Sequence, residues 1–121
     1  MITLQWPDKA LSPNGRSHWA AKAKAAKRAR SDAFHLAREA GFDARTFADY
    51  SGKLHLWIDC YAKTRNYPDA DNVLASLKSA LDGIADALGV NDSRFQPYLF
   101  VMDETHKGGK VVIRITKGAN E

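Results

Sequence analysis

The 121 residues carry 18 lysines and arginines against 14 aspartates and glutamates, for a net charge of +4 and a pI near 9.3. Hydrophobic residues make up 45% and charged residues 26%, the balance of a globular chain that folds as one domain over 1–121. No apolar run approaches the roughly 18 residues that span a bilayer, and Met1 to Trp6 lacks the basic and apolar regions of a signal peptide, so a cytoplasmic protein without a membrane partner is expected.

Ile2, Leu4 and Trp6 alternate with polar residues and predict a short first strand. Pro7 to Gly15 holds two prolines and an Asn-Gly pair, which reads as a loop. Ser17 is a suitable N-cap for a helix over Trp19 to Ala40, a stretch rich in alanine, lysine and arginine that ends before Gly41. Its expected inward positions are Trp19, Ala23, Ala26, Phe34 and Leu36. From Lys9 to Ser31 the chain has seven bases and no acid. Such a stretch suits a phosphate-gripping surface, though a solvated helix face has the same composition.

Residues 42 to 52 read as a loop. Leu54, Leu56, Ile58 and Cys60 then alternate with His55, Trp57, Asp59 and Tyr61, the pattern of a strand with two unlike faces. Cys60 is the single cysteine, which excludes an internal disulfide and a thiolate zinc site. It is expected to be buried. The histidines, His18, His35, His55 and His106, are too scattered for zinc spacing, so any bound metal must be held by oxygen.

Lys63 to Pro68 is a basic turn, and Pro68 prevents a helix from starting much before Asp69. From Asp71 a helix runs to Leu88, with Leu74, Leu77, Leu81, Ile84 and Leu88 as one apolar stripe and Gly89 as its terminator. Gly83 costs this helix about 1 kcal/mol against alanine, which close packing would justify. Pro97 to Met102 and Lys110 to Ile115 complete the elements as strands joined by a loop containing His106 to Gly109. The order β-α-β-α-β-β implies an α/β (α+β) two-layer fold, a small mixed sheet packed against two helices.

The chemistry concentrates between Asp69 and Asp92, where five acids accompany one base, Lys78. At about 100° per residue, Asp71, Lys78 and Asp82 fall within roughly 20° of one line, apart from the leucine stripe. Asp71 lies in the first turn, where the helix dipole favours an anion. Capping is the rival role for Asp69 or Asp71, and Asp82 has the i, i+4 spacing to pair with Lys78. Carboxylates of Asp69, Asp71 and Asp92 suit Mg²⁺, with Mn²⁺ as the alternative, because hard cations take oxygen ligands. Phosphodiester hydrolysis is the reaction such a site serves, with Lys78 offsetting charge that develops on phosphate. Arg16, Lys22, Lys24, Lys27, Arg28, Arg30, Lys63 and Arg65 are the candidates for DNA backbone contacts. Trp19 and Tyr67 are candidates to stack on unpaired bases, with ordinary packing as their rival role.

Asp69-Ala70-Asp71-Asn72, the helix lysine, Asp82-Gly83 and the Asn91-Asp92 turn together resemble the RusA family of Holliday junction resolvases. The resemblance extends to the loop Leu11 to Arg16, the His18-Trp19 pair and a glycine-containing final hairpin at Lys107-Gly108-Gly109. It implies a homodimer of phage or prophage origin in a bacterial cell, nicking four-way DNA junctions symmetrically at two Mg²⁺-dependent sites without an organic cofactor. Asp69, Asp71 and Asp92 match the family's metal-binding acids, and Asn72 its supporting asparagine. Two positions depart from the pattern. Asn91 stands where an acid is common, and Ala75 where the family lysine can lie, which leaves Lys78 one turn further on. A nuclease for flaps or other branched DNA, or a non-catalytic basic DNA-binding protein, are the alternative readings.

Overall fold

A computed structural model describes residues 1–14 and 18–118. The elements are strand β1 (Ile2–Gln5), helix α1 (Trp19–Glu39), strand β2 (Leu54–Tyr61), helices α2 (Ala70–Ser76) and α3 (Lys78–Leu88), and strands β3 (Phe95–Val101) and β4 (Lys110–Lys117). Short 3₁₀ turns at Lys9–Leu11 and Asp92–Arg94 precede α1 and β3. The four strands form a mixed sheet ordered β1-β4-β2-β3. The α+β two-layer expectation holds.

β2 organises the sheet. Its alternating pattern buries Leu54, Leu56, Ile58 and Cys60 completely against the helical layer, while His55, Trp57, Asp59 and Tyr61 stay half-buried on the other face. On that second face the Trp57 ring stacks on Tyr98 at 4.6 Å, and its indole N–H donates to Thr116 Oγ1 at 2.8 Å. Burial pushes the Cys60 thiol up to about 12, helped by the Asp59 carboxylate, so this cysteine behaves as a small core residue.

β3 lies parallel to β2, with Leu54 opposite Phe95 and Cys60 opposite Val101. Parallel neighbours need a long crossover, and α2 with α3 supplies it. β4 then returns antiparallel along the other edge of β2 and receives β1 on its far side. The expected final hairpin is therefore corrected: β3 and β4 do not pair, and β2 lies between them. The connecting loop arches past the end of β2, fastened there by Met102 N–H to the Cys60 carbonyl and His106 N–H to the Ala62 carbonyl, both at 2.9 Å.

Two helical expectations also change. The segment after Pro68 is two helices, interrupted at Leu77. The Leu77 N–H is shared between the Val73 and Leu74 carbonyls at 3.1 Å each, and the Ser76 hydroxyl donates back to the Asn72 carbonyl at 2.8 Å. Serine back-bonding of this kind bends helices. In α1 the inward residues are Ala33 and Ala37, flanked by half-buried Phe34 and Leu36, while Ala23 is exposed and Trp19 is 75% exposed. The fully buried residues of α1 lie in its second half, and its first half meets the short turn carrying Ala10 and Leu11, which leaves Trp19 uncovered. His18 caps it, its Nδ1 accepting the Ala20 N–H at 3.1 Å; the expected cap Ser17 lies outside the described residues.

α1 and α3 approach most closely at Gly83. A Cβ built there would sit 2.1 Å from the Arg30 carbonyl oxygen, a backbone atom that cannot swing aside. Beside this contact the Arg30 guanidinium clamps Asp86 with two hydrogen bonds of 2.7 and 2.9 Å. Gly83→Ala should force the helices apart and cost about 1–3 kcal/mol, the usual range for overpacking, despite alanine's better helix propensity. Urea unfolding of both proteins measures this, and an unchanged or raised midpoint would contradict the contact.

Candidate metal and nucleic-acid site

Pro68 sets the start of α2 and Asp69 caps it. The Asp69 backbone is extended (φ −69°, ψ 129°), and its Oδ1 accepts the Asp71 N–H at 2.9 Å. The capping role weighed for this residue is thus realised, with the second oxygen outside that bond. Asp71 is exposed in the first turn of α2, beside the positive end of the helix. Asn72, the next residue, is half-buried.

Asp92 belongs to a different group. It lies in the 3₁₀ turn after α3, and its carboxylate meets the Lys78 ammonium. Lys78 also donates to Asp82 at 3.1 Å, so one ammonium joins two carboxylates. The bonds from Lys78 hold the Asp92 carboxyl below the usual carboxylate range and raise the Lys78 ammonium above the usual lysine value. Asp82 is the residue left out of the expected catalytic set, although the sequence places it on the stripe of Asp71 and Lys78 and at i, i+4 from Lys78.

Asn91 has a structural task in this turn. Its side-chain oxygen accepts the Ser93 N–H at 2.9 Å and caps the 3₁₀ segment that carries Asp92. The following residues are anchored from the opposite side. Lys53 Nζ donates to the Ser93 carbonyl at 2.7 Å, and Arg94 grips the Tyr50 carbonyl at 2.6 Å and the Gly52 carbonyl at 3.0 Å. Neither Lys53 nor Arg94 stands out in the sequence, because their partners are main-chain atoms about forty residues away.

The expected trio is therefore not gathered as a trio. Asp71 and Lys78 lie on different helices, on either side of the interruption at Leu77, and Lys78 is the residue that Asp92 meets. Among the described residues no three His, Cys, Asp or Glu side chains are grouped to hold one metal ion. The donor chemistry nevertheless suits a hard cation: the clustered groups are carboxylates, and a positive charge, the Lys78 ammonium, already sits between two of them.

The bases divide in the same way. Lys24, Lys27 and Arg28 are exposed on α1, Lys22 is half-buried there, and Lys63 and Arg65 are exposed on the turn leading to Asp69. Arg30 is committed to Asp86 instead of projecting as a separate cation. Arg16 lies outside the described residues. Trp19 and Tyr67 are both exposed, at 75% and 42%, and the Tyr67 hydroxyl donates to the Asp103 carbonyl.

No family model matches the chain. It is similar to an uncharacterized protein of Xylella fastidiosa (strain Temecula1), with 49% identity over 115 residues covering 95% of this chain and 74% of that protein. The chain belongs to the family of that protein. No helix among the described residues is long and apolar enough to cross a membrane.

Replacing Lys78 by methionine should raise the titration midpoint of Asp92. The mutation removes the favourable charge and leaves Asp82 as a like-charged neighbour. In the native protein the pairing is fully formed above the usual carboxylate range and is lost as pH falls through Asp92's lowered value. Carboxyl-carbon NMR across acid pH reads the shift directly, and an unmoved Asp92 would show that Lys78 does not control it.

Proposed function

We propose that the chain is a divalent-metal-dependent endodeoxyribonuclease of the RusA type that resolves four-way DNA junctions as a homodimer. The observation that carries the reading is a pair of partly exposed carboxylates, Asp82 and Asp92, around the Lys78 ammonium, on a chain of net charge +4 whose bases project from α1 and from the turn before Asp69. Asp69, Asp71 and Asp92 are the residues proposed to hold Mg²⁺ or Mn²⁺. The metal would supply a water of lowered pKa and neutralise charge on phosphate. Asn72, half-buried next to Asp71 in the chain, is the residue proposed to support its position. The exposed cations grip backbone phosphates, which places the duplex arms without reading their sequence. A two-fold dimer suits a substrate that presents equivalent strands.

A second reading has its own support. Asp69 is used as a helix cap and Asp92 is held by Lys78, as expected of a basic DNA-binding protein whose acids are structural. The readings differ in metal dependence. A synthetic four-way junction incubated with the protein and Mg²⁺ should yield paired nicks in opposing strands, and flaps or plain duplex should be cut far less. Asp71→Asn should lower cleavage by at least about a hundredfold, the scale of losing a group that acts on transition-state charge, while junction binding persists. Bound but intact junctions at every metal concentration would favour the non-catalytic reading.

Binding should also weaken steeply with salt. Neutralising Lys24, Lys27 or Arg28 singly to glutamine should reduce the slope of log affinity against log salt by about one for each side chain that contacts phosphate. Arg30→Gln should leave that slope nearly unchanged, because its guanidinium is occupied by Asp86. Fluorescence anisotropy with a labelled junction at several salt concentrations separates the two classes.

A further inference from the structure

A cleft of about 670 Å³ runs between β1 and α1, floored by Ser76, Leu77 and Ala80. Thr3 through Asp8 line it without a gap. Side chains alternate between faces along a strand, so an unbroken run means that the cleft follows the edge of β1. Among the described residues that edge is free, because β1 pairs with β4 on one side only. The opposite wall is one side of α1, formed by Ala25, Arg28, Ala29, Asp32, Ala33, His35 and Leu36. Its alanines leave the width for another chain.

The two outer edges of the sheet are treated differently. β3 carries Pro97, which has no N–H to offer, and proline is a common protection of exposed edges. β1 is Ile-Thr-Leu-Gln, with no proline and no lysine. Its unpaired main-chain groups therefore face a channel between strand and helix.

We propose that this channel binds an extended, basic peptide segment of another protein, which adds to the free edge of β1 as a fifth strand. β1 offers four residues, so the paired core of the peptide is about as long. Main-chain hydrogen bonds to an exposed edge provide affinity, and alternate side chains provide selectivity. Side chains pointing towards α1 meet alanines and Leu36 and should be apolar. Charge decides the rest. Asp8 and Asp32 stand on the two walls against Arg28, and none of the three forms an ion pair among the described residues. Counting His35 as neutral, two acids stand against one arginine here, and in a chain of net charge +4 this local acidic excess attracts lysine or arginine.

The test uses random heptapeptides displayed on phage, panned against the full chain and against Ala29→Trp, whose indole would fill the channel. The full chain should enrich peptides with alternating apolar residues and at least one lysine or arginine. The variant, checked for an unchanged melting temperature, should enrich none. Methylating the backbone nitrogens of an enriched peptide one at a time should weaken binding about tenfold at every second residue, the loss of one main-chain hydrogen bond in a strand ladder. Binding unaffected by methylation, or weakened equally at every position, would overturn strand addition. No enrichment, or equal enrichment on the variant, would overturn the site. A wild-type dimer that Ala29→Trp dissolves would make a second copy the occupant and overturn the proposed partner. Junction cleavage enters none of these readouts, so this proposal and the nuclease reading stand or fall separately.

Discussion

The contact between α1 and α3 at Gly83 determines what the rest of the surface is able to do. With no side chain at that position, the backbone of α3 lies against the Arg30 carbonyl, and the basic and acidic halves of the sequence become neighbours. Arg30 then pairs with Asp86 across the contact, while Lys24, Lys27 and Arg28 remain exposed on α1. A larger residue at 83 would widen the gap and loosen the seating of α3 on the sheet. Lys78 and Asp82 are carried by that helix, so their meeting with the Asp92 turn depends on the same seating.

Electrostatics around that turn is balanced locally. Exposed ion pairs add little to stability, so the Asp82–Lys78–Asp92 arrangement is better understood as orientation than as glue. Its turn is held by main-chain contacts instead, with Lys53 and Arg94 supplying donors from the far side. Asn91 contributes by capping. An aspartate there could accept the same N–H bond, but it would bring another negative charge beside Asp92. Amide in place of acid keeps the local charge lower while preserving the turn.

Much of this was legible from residue order where the signal is local. The alternation of Leu54 to Tyr61 marked the buried and open faces of β2, and Pro68 with Asp69 marked the start of α2. Gly83 was recognisable as a packing glycine, and Cys60 as a core residue. What was hidden depends on distant partners. The break at Leu77 follows from a serine hydroxyl competing for a backbone carbonyl, an effect too small to disturb the apolar periodicity. Trp19 looked inward by composition, yet the core does not extend to its end of α1. The acids are adjacent in residue order but divided in space: Asp71 and Lys78 share a face of an ideal helix in projection, yet they lie on two helices interrupted at Leu77.

The strand order also places a demand on how the molecule forms. β1, near the beginning, pairs only with β4, near the end, and β4 also completes the second side of β2. Synthesis proceeds from the N-terminus, so β1 must wait for nearly the whole of the described chain before its pairing partner emerges. The helices can begin to form from local contacts, but β2 cannot be enclosed until β4 arrives. Closing such distant segments carries a large loop entropy and slows folding relative to a helical bundle of similar size. During that interval the apolar row of Leu54, Leu56 and Ile58 depends on α1 and α3 for cover, which makes early docking of those helices a guard against self-association of the nascent chain.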